Sequence, residues 1–150
     1  MPNPSDRPVL TIRAIKAVPV EVPLNFVLGT SQQAMRQVQL LLVDVETEEG
    51  ITGRAYLFGY HRAVPPAIIS ILGEIEALTK GERADPAVLF ARLTKRFTLI
   101  GVQGIVRMAI AGFDAALWDA VAIAAGKPLA SLLGTDLKPR AEVRTAPQGK

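Results

Sequence analysis

Residues 101–134 constrain the fold of this 150-residue chain more than any other part of its sequence. They read GVQGIVRMAIAGFDAALWDAVAIAAGKPLASLLG, with apolar residues recurring at steps of three and four. This period predicts one long helix, a tight stop and a short second helix. The apolar residues form two stripes, one of Ile105, Ala109, Phe113, Ala116, Ala120 and Ile123, the other of Val106, Ile110, Leu117 and Val121. Two stripes predict a helix buried on more than one side, against its own domain and against something else.

Glycine and proline mark the stop in this segment. Gly126 falls where a left-handed C-terminal cap is expected, and Pro128 cannot continue the helix. Gly112, inside the helix, should cost about 1 kcal/mol relative to alanine. This cost is tolerable if another backbone approaches closely at Gly112.

The first half of the sequence predicts a three-stranded antiparallel meander. Residues 9–22 form the first strand, which Pro23 ends, and residues 37–45 form the second. A polar turn at residues 46–50 leads into a third strand at residues 51–57, so the second and third strands form a hairpin. Alternation divides the second strand into one face with Val38, Leu40 and Leu42 and another with Leu41, Val43 and Val45.

Helices follow the meander. Pro65 and Pro66 suit a first helical turn, and the helical period continues to Gly81. Asp85 before Pro86 predicts an N-cap and the start of a second helix. Strands followed by helices indicate an α+β fold, a three-stranded antiparallel meander followed by a bundle of three to four helices.

Composition excludes several kinds of chemistry. The chain has no cysteine, hence no disulfide and no thiolate ligand, which is compatible with a cytoplasmic protein. It has neither a GxGxxG motif nor a P-loop, so nothing marks a nucleotide site. The N-terminus lacks the apolar stretch of a signal peptide. A net charge of +3 without a dense basic face predicts no nucleic-acid partner and no membrane association, and the basic residues near the end, Lys138, Arg140, Arg144 and Lys150, are too few to change this.

Candidate catalytic groups are sparse. His61 is the one histidine, and a lone loop histidine is more typical of a surface residue than of a catalyst. Asp114 and Asp119 are five residues apart and so point about 140° apart on a helix. We therefore interpret them as structural hydrogen-bonding or ion-pairing residues. The acidic residues around the second turn favour a solvated hairpin end over a metal site, and they are Asp44, Glu46, Glu48 and Glu49.

Two connections could carry a binding function. Residues 23–36 form a long predicted loop, and such loops often act as binding loops or lids. Residues 57–61 form a shorter aromatic loop. Its Phe58 and Tyr60 could either shape an apolar pocket or simply cover the end of the hairpin, and the residues alone favour neither reading.

A family resemblance rests on three motifs, AGFDAALWD at residues 111–119, GKPL at residues 126–129 and LLG at residues 132–134. Together they resemble the signature helix that closes the N-terminal domain of enolase-superfamily enzymes, most closely the mandelate racemase/muconate lactonizing enzyme subgroup. The resemblance covers residues 10–139. It divides the chain into a flexible N-terminus at residues 1–9, a capping domain at residues 10–139 and a truncated or flexible tail at residues 140–150.

The resemblance implies a function for the whole enzyme. In this family a modified TIM barrel holds Mg²⁺ on three carboxylates, and a lysine or histidine removes the proton next to the substrate carboxylate. The reaction is a racemisation, a dehydration or a lactonization. The N-terminal domain closes the barrel with two loops, which correspond here to residues 23–36 and 57–61. The side chains placed nearest the substrate are Leu28, Thr30, Met35 and Tyr60.

The same resemblance implies what this chain lacks. The metal ligands and the catalytic base belong to the barrel, so we expect no catalytic or metal-binding residue and no activity from these residues alone. The principal expectation is the lid of a racemase or acid-sugar dehydratase. The alternative is a stand-alone binding or assembly module derived from such a lid. Either is expected to be a homo-oligomer, because the doubly apolar helix would leave one face exposed.

Overall fold

The computed structural model describes residues 8–29 and 34–134. Three strands form one antiparallel sheet in the order β1-β2-β3, with β1 at Ile12–Gly29, β2 at Ala34–Thr47 and β3 at Thr52–Phe58. Four α-helices follow in the described part of the chain, α1 at Val64–Thr79, α2 at Pro86–Arg96, α3 at Ile105–Ala124 and α4 at Leu129–Leu133. The predicted α+β fold is therefore confirmed. None of the described helices is long and apolar enough to cross a membrane.

The first two strands run further than the sequence predicts. The segment 23–36, expected to be a loop, instead continues β1 to Gly29 and begins β2 at Ala34. The register is interrupted between Pro23 and Leu28, where the strand bulges and then pairs again. Residues 22–29 and 34–38 thus form a two-stranded ribbon that extends beyond the end of β3, and we call this ribbon the arm.

Pro23 does not end β1 because its missing N–H falls on the free edge of the sheet. In an antiparallel strand, alternate residues direct their backbone groups to opposite sides. Ile15 directs its N–H away from β2, to Glu76 Oε2 at 2.7 Å, so Pro19 and Pro23 also face outward. A proline at such a position removes no ladder hydrogen bond. Sequence reasoning took Pro23 as a terminator because it could not tell an edge from the interior.

The core lies between the inner face of the sheet and the helices. Leu41, Val43 and Val45 are fully buried, whereas Leu42 is exposed on the outer face. This confirms the predicted alternation from Leu41 to Val45, whereas Val38, predicted on the same face as Leu42, is buried. The inner face packs mainly against α3, which also contacts α1 and α2.

The long helix is shorter than predicted and more completely buried by its own domain. It begins at Ile105, because Gly101 and Gly104 adopt positive φ angles of 85° and 66°. Both apolar stripes pack inside the domain, apart from Ile105, which is half-buried, and Ile123, which is exposed. The expected second partner for these stripes was therefore wrong, since the sheet buries one side of α3 and the other helices bury another.

Helix-end signals read from the sequence are confirmed. Asp85 caps α2 by accepting a hydrogen bond from the Val88 N–H at 3.4 Å, and Pro86 occupies the first turn. Gly126 follows α3 with φ of 60°. The N–H groups of Gly126 and Lys127 donate to main-chain oxygens of the last helical turn at 3.0 and 3.1 Å, which is the Schellman pattern.

A close backbone approach occurs at Gly53 rather than at Gly112. A Cβ at Gly112 would meet the Leu57 side chain at 2.8 Å, so that glycine accommodates a side chain. A Cβ at Gly53 in β3 would lie only 2.0 Å from the main-chain oxygen of Ala116 and 2.5 Å from the Ala120 nitrogen. Gly53 therefore allows α3 to lie directly against the sheet.

Candidate functional site

The arm carries exposed apolar side chains far from the core. Phe26, Val27 and Leu28 are 66%, 49% and 37% exposed. Leu28 pairs with Met35 across the ribbon, so two of the four predicted substrate-proximal residues are neighbours. The third, Thr30, lies outside the described residues. An isolated two-stranded ribbon is at best marginally stable in water, and one with an apolar surface is typical of an element that covers something.

The turn after β3 holds Tyr60, the fourth predicted residue. Tyr60 is 65% exposed and has a positive φ of 52°, an uncommon conformation for a residue with a Cβ. Its ring lies 4.6 Å from that of Phe58, centroid to centroid, at 57° between the ring planes. Backbone strain of this kind is frequent at functional sites because the surrounding structure must hold it in place.

His61 stabilises this turn from within. Its Nδ1 accepts a hydrogen bond from the Ala63 N–H at 3.2 Å, and its main-chain oxygen accepts one from Val64 at 2.9 Å. The imidazole is thus hydrogen-bonded to the chain that leads into α1. His61 is exposed, which agrees with its interpretation as a surface residue.

The structure does not place Tyr60 beside the Leu28–Met35 pair. The N–H of Gly59 donates to the main-chain oxygen of Gln39 at 2.6 Å, which fixes the turn at the level of Gln39 in β2. Met35 is four residues further along, about 13 Å at the rise of an antiparallel strand. The three described residues, Leu28, Met35 and Tyr60, are therefore spread along one end of the domain.

Sequence reasoning missed the polar group at the base of the arm. Glu21 Oε2 accepts hydrogen bonds from the Gln39 amide and, at 3.5 Å, from the Arg62 guanidinium. Next to the arm, these contacts therefore join β1 and β2 to the turn that holds Tyr60. The strand pairing places Glu21 opposite Gln39. Only this register could have indicated the contact, because the residues are far apart in sequence.

The acidic residues near the hairpin do not fit a magnesium site. Glu46 contacts Lys16 at 2.5 Å and Arg13 at 2.8 Å, and these hydrogen bonds lower the pKa of its carboxyl. Asp44 lies 3.8 Å from Arg54. Within residues 8–29 and 34–134, no three His, Cys, Asp or Glu side chains lie close enough to hold a metal ion.

Glu49 is the third hairpin acid with a side-chain contact. The Glu49 carboxylate accepts the Thr11 N–H at 2.9 Å, and this backbone hydrogen bond lowers the pKa of Glu49. The hairpin acids thus serve ion pairs and backbone hydrogen bonds. No step of a metal-dependent reaction can be derived from the described residues.

The two acids of α3 differ in their environments. Asp119 accepts a hydrogen bond from the Arg54 N–H at 2.8 Å, which confirms its predicted structural role. Asp114 makes no hydrogen bond or ion pair within the described residues, contrary to expectation. Burial raises the pKa of the Asp114 carboxyl to about 6.

This sheet, its helices and its arm define an α+β domain of the type found at the N-terminus of enolase-superfamily enzymes. Residues 11–134 match the family described as the mandelate racemase/muconate lactonizing enzyme, N-terminal domain. The chain belongs to this family.

Solved structures and a characterised relative agree with this assignment. The chain is 33% identical to an enolase from Bradyrhizobium complexed with magnesium and mandelic acid, with a TM-score of 0.78 over 84% of this chain and 35% of that one. It is 28% identical to an L-talarate dehydratase from Polaromonas sp. JS666 complexed with Mg and L-glucarate, with a TM-score of 0.70 over 85% of this chain and 35% of that one. It is 29% identical to the L-talarate/galactarate dehydratase of Salmonella typhimurium over 78% of this chain and 30% of the relative.

The chain thus spans about a third of the length of the relatives that it matches. The activities, ligands and metals of those proteins belong to molecules that contain a further two thirds of sequence.

Proposed function

We propose that this domain is the lid of a mandelate racemase-like enzyme that removes the proton next to a substrate carboxylate. The reaction class would be that of a racemase or an acid-sugar dehydratase, an isomerase or a lyase in the cytoplasm. The Mg²⁺ bound in the structural relatives would be held by the remainder of such an enzyme.

The arm carries this proposal. It extends past β3 with Phe26, Val27 and Leu28 exposed, and nothing in the described domain covers these side chains. A ribbon of this kind gains stability when it closes over an apolar or partly apolar surface. Over a carboxylate pocket it would exclude water and so strengthen the electrostatic interactions inside.

The turn with Tyr60 would supply the second edge of the lid. Glu21 connects the arm to Arg62 in this turn, so the two parts are joined through one polar group. Coupled parts would close together, and lid closure on the microsecond to millisecond timescale is common in such enzymes. The described residues would position the substrate and shield it from water, whereas proton abstraction would need groups outside them.

The first test is the intact mass of the natural protein, followed by activity assays on the protein at that length. A 2-hydroxy acid and an aldarate would serve as substrates with Mg²⁺ present. We expect Leu28→Ala and Met35→Ala to lower kcat/KM at least tenfold without changing Mg²⁺ affinity or Tm. Val88→Ala is the matched control, because Val88 is equally an exposed apolar residue but lies on α2.

Two results would count against the lid proposal. The first is turnover by the 150-residue chain alone above a buffer blank, because the described residues hold no metal site. The second is unchanged kinetics in both arm variants of an active natural-length enzyme. In that case the arm would have no part in closing the active site.

A further inference from the structure

The outer face of the sheet, which points away from the helices, holds a depression of about 490 Å³. Small-molecule sites in proteins have volumes of about 300–1,000 Å³. We call this feature the outer depression, and two rows of side chains cross the three strands in it. The apolar row consists of Val18, Leu42 and Tyr56, and the charged row consists of Lys16, Asp44 and Arg54. The outer depression thus combines an apolar surface with a line of charges.

The apolar row is open to solvent. All three of its side chains are exposed, and Tyr56 is the most exposed at 69%. Leu42 pairs with Val18 in β1 and with Tyr56 in β3, so the row runs straight across the sheet. Because neighbouring strands lie about 4.8 Å apart, the row is about 10 Å long. A flat body of two fused rings would cover this length, whereas a single ring would leave one of the three side chains in water.

The ion pairs of the charged row leave one cation in excess among the described residues. Glu46, the next residue on this face of β2, is shared by two cations, Arg13 at 2.8 Å and Lys16 at 2.5 Å. Asp44 is left for Arg54, and its Oδ1 lies 3.8 Å from the Arg54 Nε, beyond hydrogen-bond distance. Three cations therefore accompany two carboxylates. A ligand with one negative charge would balance this group.

Arg54 is the cation with the most unused hydrogen-bonding capacity. Its side chain is 71% exposed, and Asp44, close to Nε, is the one partner of this side chain within residues 8–29 and 34–134. The two terminal nitrogens of the guanidinium carry four N–H donors, and none of these has an acceptor in that part of the chain. A carboxylate can accept two parallel hydrogen bonds from such a group. Arg54 is therefore suited to bind the carboxylate of a ligand.

The two rows lie close enough for one small molecule to reach both. Arg54 and Tyr56 are two residues apart in β3, so their side chains are on the same face, about 6.8 Å apart along the strand. Lys16 and Val18 have the same separation in β1. A ligand that lies along the apolar row must therefore carry its carboxylate on the side next to the charged row. A short linker between ring and carboxylate would suit this separation.

We propose that the outer depression binds a flat monocarboxylate with two fused apolar rings. The rings cover the apolar row, and the carboxylate accepts hydrogen bonds from the Arg54 guanidinium. This site is distinct from the arm, because Leu42 is seven residues from Met35 along β2, about 24 Å. It does not depend on the lid assignment, and its ligand is a molecule other than a substrate held beneath the arm.

Another depression of the domain lacks this combination. It has a volume of about 290 Å³ and is lined by residues of α1 and α2, among them Leu78, Arg92 and Arg96. Arg92 already donates two hydrogen bonds to the Glu82 carboxylate, at 2.6 and 2.9 Å. The leucines of this depression are buried or half-buried, so they offer no open apolar row. Arg96 provides a matched control for Arg54, because both are exposed arginines beside a depression.

NMR titration of the ¹⁵N-labelled 150-residue chain with 2-naphthylacetate, from about 0.05 to about 5 mM, tests the proposal without any catalytic assay. We expect one saturable set of backbone shifts, centred on residues 16–18, 42–44 and 54–56. The carboxamide 2-naphthylacetamide, which has the same rings without the charge, should bind at least tenfold more weakly. Arg54→Gln should raise the dissociation constant for the acid at least tenfold and Arg54→Lys by less, whereas Arg96→Gln should leave it unchanged.

Tyr56→Ser removes the ring from the apolar row and should weaken binding of the acid and of its carboxamide alike. Far-UV circular dichroism establishes that each variant is folded, and Leu42→Ser replaces Tyr56→Ser if that variant is not. The proposal would be overturned by the absence of saturable shifts in the wild-type chain, or by shifts that lie outside the outer depression. Equal affinity for acid and carboxamide, or unchanged binding by Arg54→Gln, would equally exclude it.

Sedimentation of the chain without ligand distinguishes a second occupant of the apolar row. We expect Tyr56→Ser to leave the sedimentation of the chain unchanged. Self-association that Tyr56→Ser abolishes would overturn the proposal, because a second copy of the chain would then cover the row and exclude the carboxylate.

Discussion

The carboxylate of Asp119 in α3 accepts a hydrogen bond from the main-chain N–H of Arg54 in β3 at 2.8 Å. Arg54 directs this N–H away from β2, so Asp119 caps the free edge of the sheet. At the opposite edge Glu76 of α1 accepts the Ile15 N–H at 2.7 Å in the same way. On each edge strand, a carboxylate from a helix thus accepts a hydrogen bond from a main-chain N–H that points away from the sheet. This contact hinders pairing of the edge with another chain.

Asp119→Ala should destabilise the domain by about 1–3 kcal/mol, because the Arg54 N–H loses its acceptor at the helix–sheet contact. Asp119→Asn keeps an oxygen at this position and should recover most of the loss. Urea denaturation measures the free energy of unfolding, and hydrogen exchange reports the Arg54 amide directly. Equal stability of the alanine variant and the wild type would show that water replaces the carboxylate at no cost.

Gly53→Ala should be the most destabilising small substitution in the sheet, by about 3 kcal/mol or more, because the new Cβ would lie 2.0 Å from the Ala116 oxygen. Backbone cannot move aside as a side chain can. Gly73→Ala is the matched control. Gly73 is exposed in α1 with nothing within 4 Å of an added Cβ, so the change should stabilise by up to about 1 kcal/mol. Similar melting temperatures for the two variants would contradict the close packing at Gly53.

Gly112→Ala should have a smaller effect than Gly53→Ala, because its Cβ would meet the flexible Leu57 side chain at 2.8 Å. Repacking of Leu57 should cost about 1–2 kcal/mol, against a gain of about 1 kcal/mol in helix propensity. The test is a double-mutant cycle with Leu57→Ala, and we expect a coupling energy above about 0.5 kcal/mol. Additive effects would mean that the two residues do not contact each other.

Asp114 should make the domain less stable as the pH rises from about 4 to 7. Its folded pKa is about 6 and the value outside the fold is 3.8, so the folded state holds the proton more tightly between these values. The stabilisation that comes from the protonated Asp114 carboxyl is present at low pH. It is lost as the pH rises through the pKa of this carboxyl in the folded state. Partial exposure to water limits the effect to about 1 kcal/mol.

The matched variant Asp114→Asn cannot ionise, and its unfolding free energy should lack this decrease. Urea denaturation of both proteins at several pH values measures this difference. Identical pH profiles for variant and wild type would show that the Asp114 carboxyl is well solvated.

Local signals in the sequence correctly predicted two of the helix ends. Asp85 and Pro86 specified the start of α2, and Gly126 with Pro128 specified the end of α3, because caps depend on residues within one turn. The family resemblance named Leu28, Met35 and Tyr60 as substrate-proximal, and the structure pairs the first two across the arm. Their contact with a substrate stays a prediction.

The sequence by itself thus determined the order of strands and helices, the start of α2, the end of α3 and the family. Tertiary structure alone decided that β1 continues through Pro23, that Gly53 is the point of closest helix–sheet contact and that Asp119 reaches Arg54. It also left Asp114 without a cation within the described residues. The physical reason is distance along the chain. Caps and periodicity are set by neighbouring residues, whereas register, edge position and burial arise only when remote segments pack together.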